Sequence, residues 1–87
     1  MYYVYIIQNN QKQIYYGSTN DLKRRFKEHN SGRSSYTKGS SWQLVYYEAY
    51  ASETDARTRE KQLKLHGQAW AQLKRRVKDS LAKVSAG

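Results

Sequence analysis

Tyr5 and Tyr15 stand on two short runs of β-branched and aromatic residues, separated by the polar break Gln8-Asn9-Asn10-Gln11-Lys12. Such a break suits a hairpin loop. Folded symmetrically about it, Ile7 faces Gln13, Ile6 faces Ile14 and Tyr5 faces Tyr15. Paired residues share a sheet face. Val4, Ile6, Ile14 and Tyr16 then form one apolar face, and Tyr3, Tyr5, Gln13, Tyr15 and Gly17 form the other. Two facing phenols can hydrogen-bond each other and a water. An aromatic pair that only packs is the plainer alternative. Gly17 leaves its backbone bare where a ligand could approach.

Downstream, Asp21, Arg25 and His29 recur every four residues, which is one stripe of a helix. Arg25 flanks the apolar Leu22/Phe26 face, where a guanidinium can grip a phosphate through two parallel hydrogen bonds. A surface pair with Asp21 is the alternative. Lys23, Arg24 and Lys27 lie further round and read as a solvated face that tracks a nucleic-acid backbone. In a later helical segment Ala56, Glu60 and Leu63 share a stripe, so Glu60 interrupts an apolar face. A carboxylate there is costly unless it meets a cation. That cation is either a metal ion or Lys64, one helical turn away.

The elements that must position these groups are legible from period and punctuation. Tyr2 to Ile7 and Gln13 to Gly17 read as paired strands. A helix opens at Asn20-Asp21, with Thr19 or Asn20 as cap, and ends at Gly32. Arg33 to Ser41 reads as a basic, Ser/Gly-rich loop, and Trp42 to Tyr50 as a third strand. Ser52-Glu53-Thr54-Asp55 starts a helix as a capping box, and Gly67 stops it after His66. Trp70, Leu73, Val77 and Leu81 then mark one last helix, with Lys74, Arg75, Lys78 and Asp79 on its other side. The order is ββαβαα. The fold class is α+β: a small three-stranded antiparallel sheet packed with about three helices.

Composition narrows the function classes. The 87 residues fit a single domain over 1–87. The absence of cysteine excludes disulfides and thiolate metal sites, and two histidines argue against structural zinc. No apolar run approaches a membrane span. The N-terminal run has no basic leader, so it reads as a strand and not a signal peptide, and the cytoplasm is the expected compartment. Sixteen Lys and Arg against seven Asp and Glu give a formal charge of +9, which points to a polyanionic partner, nucleic acid first.

Four segments together resemble the GIY-YIG nuclease family. Tyr3-Val4-Tyr5 stands where the family has its first triplet, and Tyr15-Tyr16-Gly17 where it has its second. The stretch from Ile14 to Gly32 is similar to the family's second strand and first helix. Ala56 to Lys64 resembles the segment that carries its metal-binding glutamate. The likeness spans roughly residues 2 to 70 and is nearest the small single-domain group, itself similar to the N-terminal nuclease domain of the excision-repair incision subunit.

The resemblance implies that Tyr5 and Tyr15 are the motif tyrosines, Arg25 the catalytic arginine, His29 a further polar active-site residue and Glu60 the metal ligand, with Gly17 as the second-motif glycine. Two departures stand out. Tyr3 replaces the first-triplet glycine, and Ser18 occupies a place where some members carry lysine. The implied activity is endonucleolytic hydrolysis of nucleic acid, DNA before RNA and with DNA repair as a setting, using Mg²⁺ or another divalent ion such as Mn²⁺. In that chemistry Arg25 stabilises charge in the transition state, and Tyr5 or Tyr15 orients the water or takes its proton, with His29 assisting. The rival reading is a non-catalytic basic module whose nine tyrosines stack nucleic-acid bases.

Overall fold

The computed structural model describes residues 1–31 and 41–86, with side chains described as far as residue 83. The expected loop from Arg33 to Ser41 and the expected stop at Gly32 fall outside the described residues, Ser41 excepted. Three strands, β1 (Tyr2–Asn9), β2 (Ile14–Thr19) and β3 (Trp42–Tyr50), form an antiparallel sheet in the order β2-β1-β3. Around it lie α1 (Leu22–Asn30), α2 (Glu53–Leu65), α3 (Gly67–Arg76) and α4 (Lys78–Ala86). The α+β class and the order of elements are as the sequence indicates. The expected last helix, however, is two. Its backbone breaks at Val77 (φ −114°, ψ 21°), and Val77 stays buried at the corner. Gly67 opens α3 instead of merely ending α2, because His66 in extended conformation already separates the two helices.

Alternation along β1 divides the apolar residues between two layers. Val4 and Ile6 face α2, α3 and α4, packing with Ala56, Leu63, Leu73 and Val77. Tyr5 and Ile7 face the other way, with Trp42, Tyr15, Leu22 and Phe26 around them, so α1 covers that side. Burying each aliphatic side chain contributes about 1.5–3 kcal/mol.

The hairpin register departs from the symmetric expectation by two residues. Tyr5 is opposite Gly17, Ile7 opposite Tyr15 and Gln8 opposite Ile14. The strand runs on to Asn9, which is fully buried and whose side-chain oxygen accepts from the backbone N–H of Gln11 (3.0 Å) and Gln13 (2.9 Å). Lys12 takes the left-handed backbone that closes such a three-residue loop (φ 64°). A shift of two leaves every side chain on its expected face, but Tyr5 and Tyr15 become diagonal neighbours, with ring centroids 6.4 Å apart.

No described helix is long and apolar enough to cross a membrane.

Candidate active site

β2 is an edge strand among the described residues, and most of the residues singled out above lie along it or against it. Asp21, not Thr19 or Asn20, caps α1 by accepting from the Arg24 N–H (3.1 Å). That use of Asp21 leaves Arg25 to pair with Glu28 (3.1 Å) instead. At its other end, Asn30 grips the backbone of Trp42 on both sides: Trp42 N–H donates to its Oδ1 (2.7 Å) and its Nδ2 donates to the Trp42 carbonyl (3.1 Å). With α1 pinned at both ends, His29 is held fully buried against the sheet.

There the His29 Nε2 and the Tyr5 hydroxyl are 2.6 Å apart. Desolvation first, and the neighbouring Arg25 charge second, push the His29 imidazole down to about 4, so it is neutral at physiological pH. Burial, helped by the nearby Tyr15, also holds the Tyr5 hydroxyl well above the ordinary tyrosine range. A protonated phenol beside a neutral imidazole donates, and Nε2 accepts. The Arg25 guanidinium lies near the hydroxyls of Tyr5 and Tyr15 and hydrogen-bonds Glu28 (3.1 Å). Although burial disfavours its charge, the bond to Glu28 and the neighbouring tyrosine hydroxyls outweigh that effect and keep Arg25 protonated.

Tyr5 and His29 are thus sealed off, being 1% and 0% exposed. Tyr15 is half-exposed, with its ring edge-on to His29 at 4.8 Å. Of the two motif tyrosines, Tyr15 alone opens to the cleft. Gly17 is buried as well, and the space its missing side chain leaves is filled by the Tyr5 ring, not by an external group.

Glu60 reaches the same edge from the opposite layer. One residue earlier, Arg59 forks onto Glu48 of β3 (3.1–3.3 Å), and Tyr46 (2.7 Å) and Tyr50 also donate to that carboxylate. Desolvation would raise the Glu48 carboxyl, but these donors outweigh it and hold it below the usual range. This anchor sets the rotation of α2 and directs Glu60 across the sheet to β2. Glu60 accepts from the Ser18 hydroxyl (2.6 Å) and pairs with Lys64 Nζ (2.6 Å), while its side chain stays only 20% exposed. Of the two sequence alternatives for Glu60, the Lys64 pair is the one present, though it does not swing out to solvent. It faces the protein body, and Lys64 meets it there. The Lys64 ammonium also lies 6.0 Å from the centre of the Tyr15 ring.

Ser18, Lys64 and Asn30 complete the site, and of these only Lys64 is hinted at by spacing. The lysine absent at position 18 has a counterpart in space: Lys64 brings a cation to the carboxylate that Ser18 touches. Lys23, Arg24 and Lys27 are exposed on α1.

Among the described residues no three His, Cys, Asp or Glu side chains gather to form a protein-only metal cage. One carboxylate with an adjacent hydroxyl does suit Mg²⁺, which keeps several waters and shares its shell with substrate phosphate. The donors are all oxygen, so the residues present fit a hard divalent ion.

The GIY-YIG catalytic domain model matches residues 1–79. A UPF0213 protein of Haloquadratum walsbyi is 38% identical over 65 residues, covering 72% of this chain and 73% of its own. A UPF0213 protein of Halobacterium salinarum is 35% identical over 83 residues, covering 93% and 99%. The solution NMR structure of a UPF0213 protein from Bacillus halodurans superposes with a TM-score of 0.53 at 36% identity, covering 84% of this chain and 82% of that one. With the family match spanning most of its length, the chain belongs to the GIY-YIG domain family, a family of nucleases.

Proposed function

We propose that the chain acts as a single-domain, divalent-metal-dependent endonuclease of the cytoplasm that hydrolyses phosphodiester bonds, with DNA as substrate. The observation that carries this reading is the convergence of Arg25, Tyr15 and Glu60 at the β2 edge from two different layers. Family membership and the +9 charge support it.

Hydrolysis requires a water oxygen to attack phosphorus, the phosphorus–oxygen bond to the leaving nucleoside to break, and the negative charge on the phosphoryl oxygens to be relieved. Arg25 would bind those oxygens, its guanidinium being oriented by Glu28. Tyr15 orients the attacking water. Tyr5 and His29 are positioning residues: they fix Arg25 and Tyr15 without touching substrate. Glu60, with Ser18 beside it, would hold Mg²⁺ or Mn²⁺, and that ion when bound supplies charge neutralisation and stabilises the leaving alkoxide. Lys64 keeps the carboxylate neutralised in the metal-free protein. Lys23, Arg24 and Lys27 contact flanking phosphates without reading sequence.

The test is cleavage of a labelled DNA panel by Glu60→Gln, with and without Mg²⁺. The variant keeps the size of the side chain and its bond to Ser18 but cannot neutralise a cation. It should fold normally, bind DNA without metal and lose metal-dependent cleavage. If it cleaves like the parent, Glu60 is not the ligand. If the parent cuts no nucleic acid with any divalent ion, the non-catalytic binding module is the correct reading.

A further inference from the structure

We propose that the groove lined by Tyr3 and Tyr47 is a stacking subsite for one unpaired base of the strand being cut, which would lie on the exposed face of Tyr47, a reading that rests on the nuclease function above. Tyr3, which replaces a glycine of the first motif, does not crowd the Arg25–Glu60 edge. Its ring instead lies edge-on to Tyr47 of β3, with centroids 6.0 Å apart and planes at 63°. Tyr47 is 52% exposed and Leu44, which lines the same groove, 38%. Together with Phe26 they line a depression of about 500 Å³ whose mouth carries Asn20 and Lys23.

Continuity with the cleavage site identifies the occupant. The hollow beside Glu60 and Lys64 is bounded by Ser18 and Arg57. The next hollow shares those two residues and extends to Asn20. Asn20 in turn borders the aromatic groove. A track therefore leads from the Glu60 carboxylate around the N-terminal end of α1 to the two tyrosines, with Lys61, Lys64, Arg57 and Lys23 along it. The three carboxylates on this route are already engaged: Glu60 pairs with Lys64, Asp21 caps α1, and Glu53 faces Arg57 at 3.9 Å. Cations spaced along a path that ends in paired aromatic rings match a phosphate backbone followed by a base. The amide of Asn20 can bond a base edge, whereas a fully paired duplex has no free base to insert. The alternation of charge and ring is the arrangement by which proteins hold single strands.

The experiment measures binding of a fluorescein-labelled single-stranded DNA and of the same sequence as a blunt duplex, by anisotropy without divalent metal, for the parent, Tyr47→Ala and Tyr47→Phe. Stacking on one aromatic ring corresponds to about a 5- to 150-fold change in affinity. Tyr47→Ala should therefore weaken single-strand binding by a factor in that range and leave duplex binding unchanged. Tyr47→Phe should bind both as the parent does. Tyr3→Ala should repeat the Tyr47→Ala pattern. Equal losses on both substrates, no loss on either, or a change in self-association alone would each overturn the subsite. Because no metal is present, the outcome is independent of catalysis. Tyr47-dependent single-strand binding in a protein that cleaves nothing upholds the subsite and rejects the nuclease. Cleavage indifferent to both tyrosines does the reverse.

Discussion

The Tyr5 ring lies across the backbone of Gly17, its direct partner on the neighbouring strand, so closely that a Cβ at position 17 would overlap the phenol oxygen and Cζ. Tyr5 is almost completely buried and bonded to His29, so it has no free direction in which to give way. Gly17→Ala should therefore lower stability by about 1–3 kcal/mol through overpacking, measured by urea denaturation. Activity should fall as well, since Arg25 and Tyr15 lean on the displaced ring. Unchanged stability would mean that Tyr5 moves aside at little cost.

The two motif tyrosines should separate under the same substitution. Tyr5→Phe removes a buried hydroxyl that is bonded to His29, and should cost about 1–3 kcal/mol of stability along with activity. Tyr15→Phe removes a half-exposed hydroxyl. It should leave the melting temperature nearly unchanged while lowering kcat by roughly 10²–10⁴. Comparable stability losses in both variants, or full activity in Tyr15→Phe, would contradict this division of labour.

Acid should reveal His29. Its folded value of about 4 lies below the ordinary histidine value of 6.5, so the unfolded chain takes up the proton first as pH falls. The stability associated with the neutral imidazole is fully present above pH 6.5 and is lost as pH drops from there to about 4, approaching roughly 3 kcal/mol. The depressed Glu48 carboxyl loses its contribution only at lower pH, below its ordinary value of 4.5. Denaturation between pH 7 and pH 5 should thus show a slope that His29→Gln flattens. A slope of equal size in the variant would assign the proton elsewhere.

Lys64 should compete with metal. Its ammonium sits 2.6 Å from one oxygen of Glu60, and a divalent ion has to share or displace that contact. Lys64→Met keeps the length of the stem and removes the charge, so Mg²⁺ or Mn²⁺ should bind about fivefold tighter by titration calorimetry. That follows from losing a rival Coulomb attraction of ~1 kcal/mol. Weaker metal binding in Lys64→Met would show that the lysine supports the site instead of competing for it.

The sequence by itself determined the α+β class, the three strands and the division of β1 and β2 into two faces. Strand alternation is a local property that survives a register shift of two, so Val4 and Ile6 were bound to part from Tyr5 whatever the turn. The spacing of the triplets, Arg25 and Glu60 was equally legible, because motif spacing needs no coordinates. The tertiary structure decided the rest, through contacts between residues distant in the chain. Asn9 turned inward to build the hairpin loop, which placed Tyr5 against Gly17 and not Tyr15; the preference of asparagine for bonding its own backbone was the available clue. Arg59 found Glu48 eleven residues back and thereby aimed Glu60 at Ser18, forty-two residues away. Asn30 joined α1 to β3 through the backbone of Trp42, a partner that side-chain type does not reveal. The break at Val77 was hidden because its apolar spacing continues through the corner. Periodicity records which way a side chain faces. Which partner it meets depends on how separate elements pack, and it is that packing which buried Tyr5 and His29 and left Tyr15 open to the cleft.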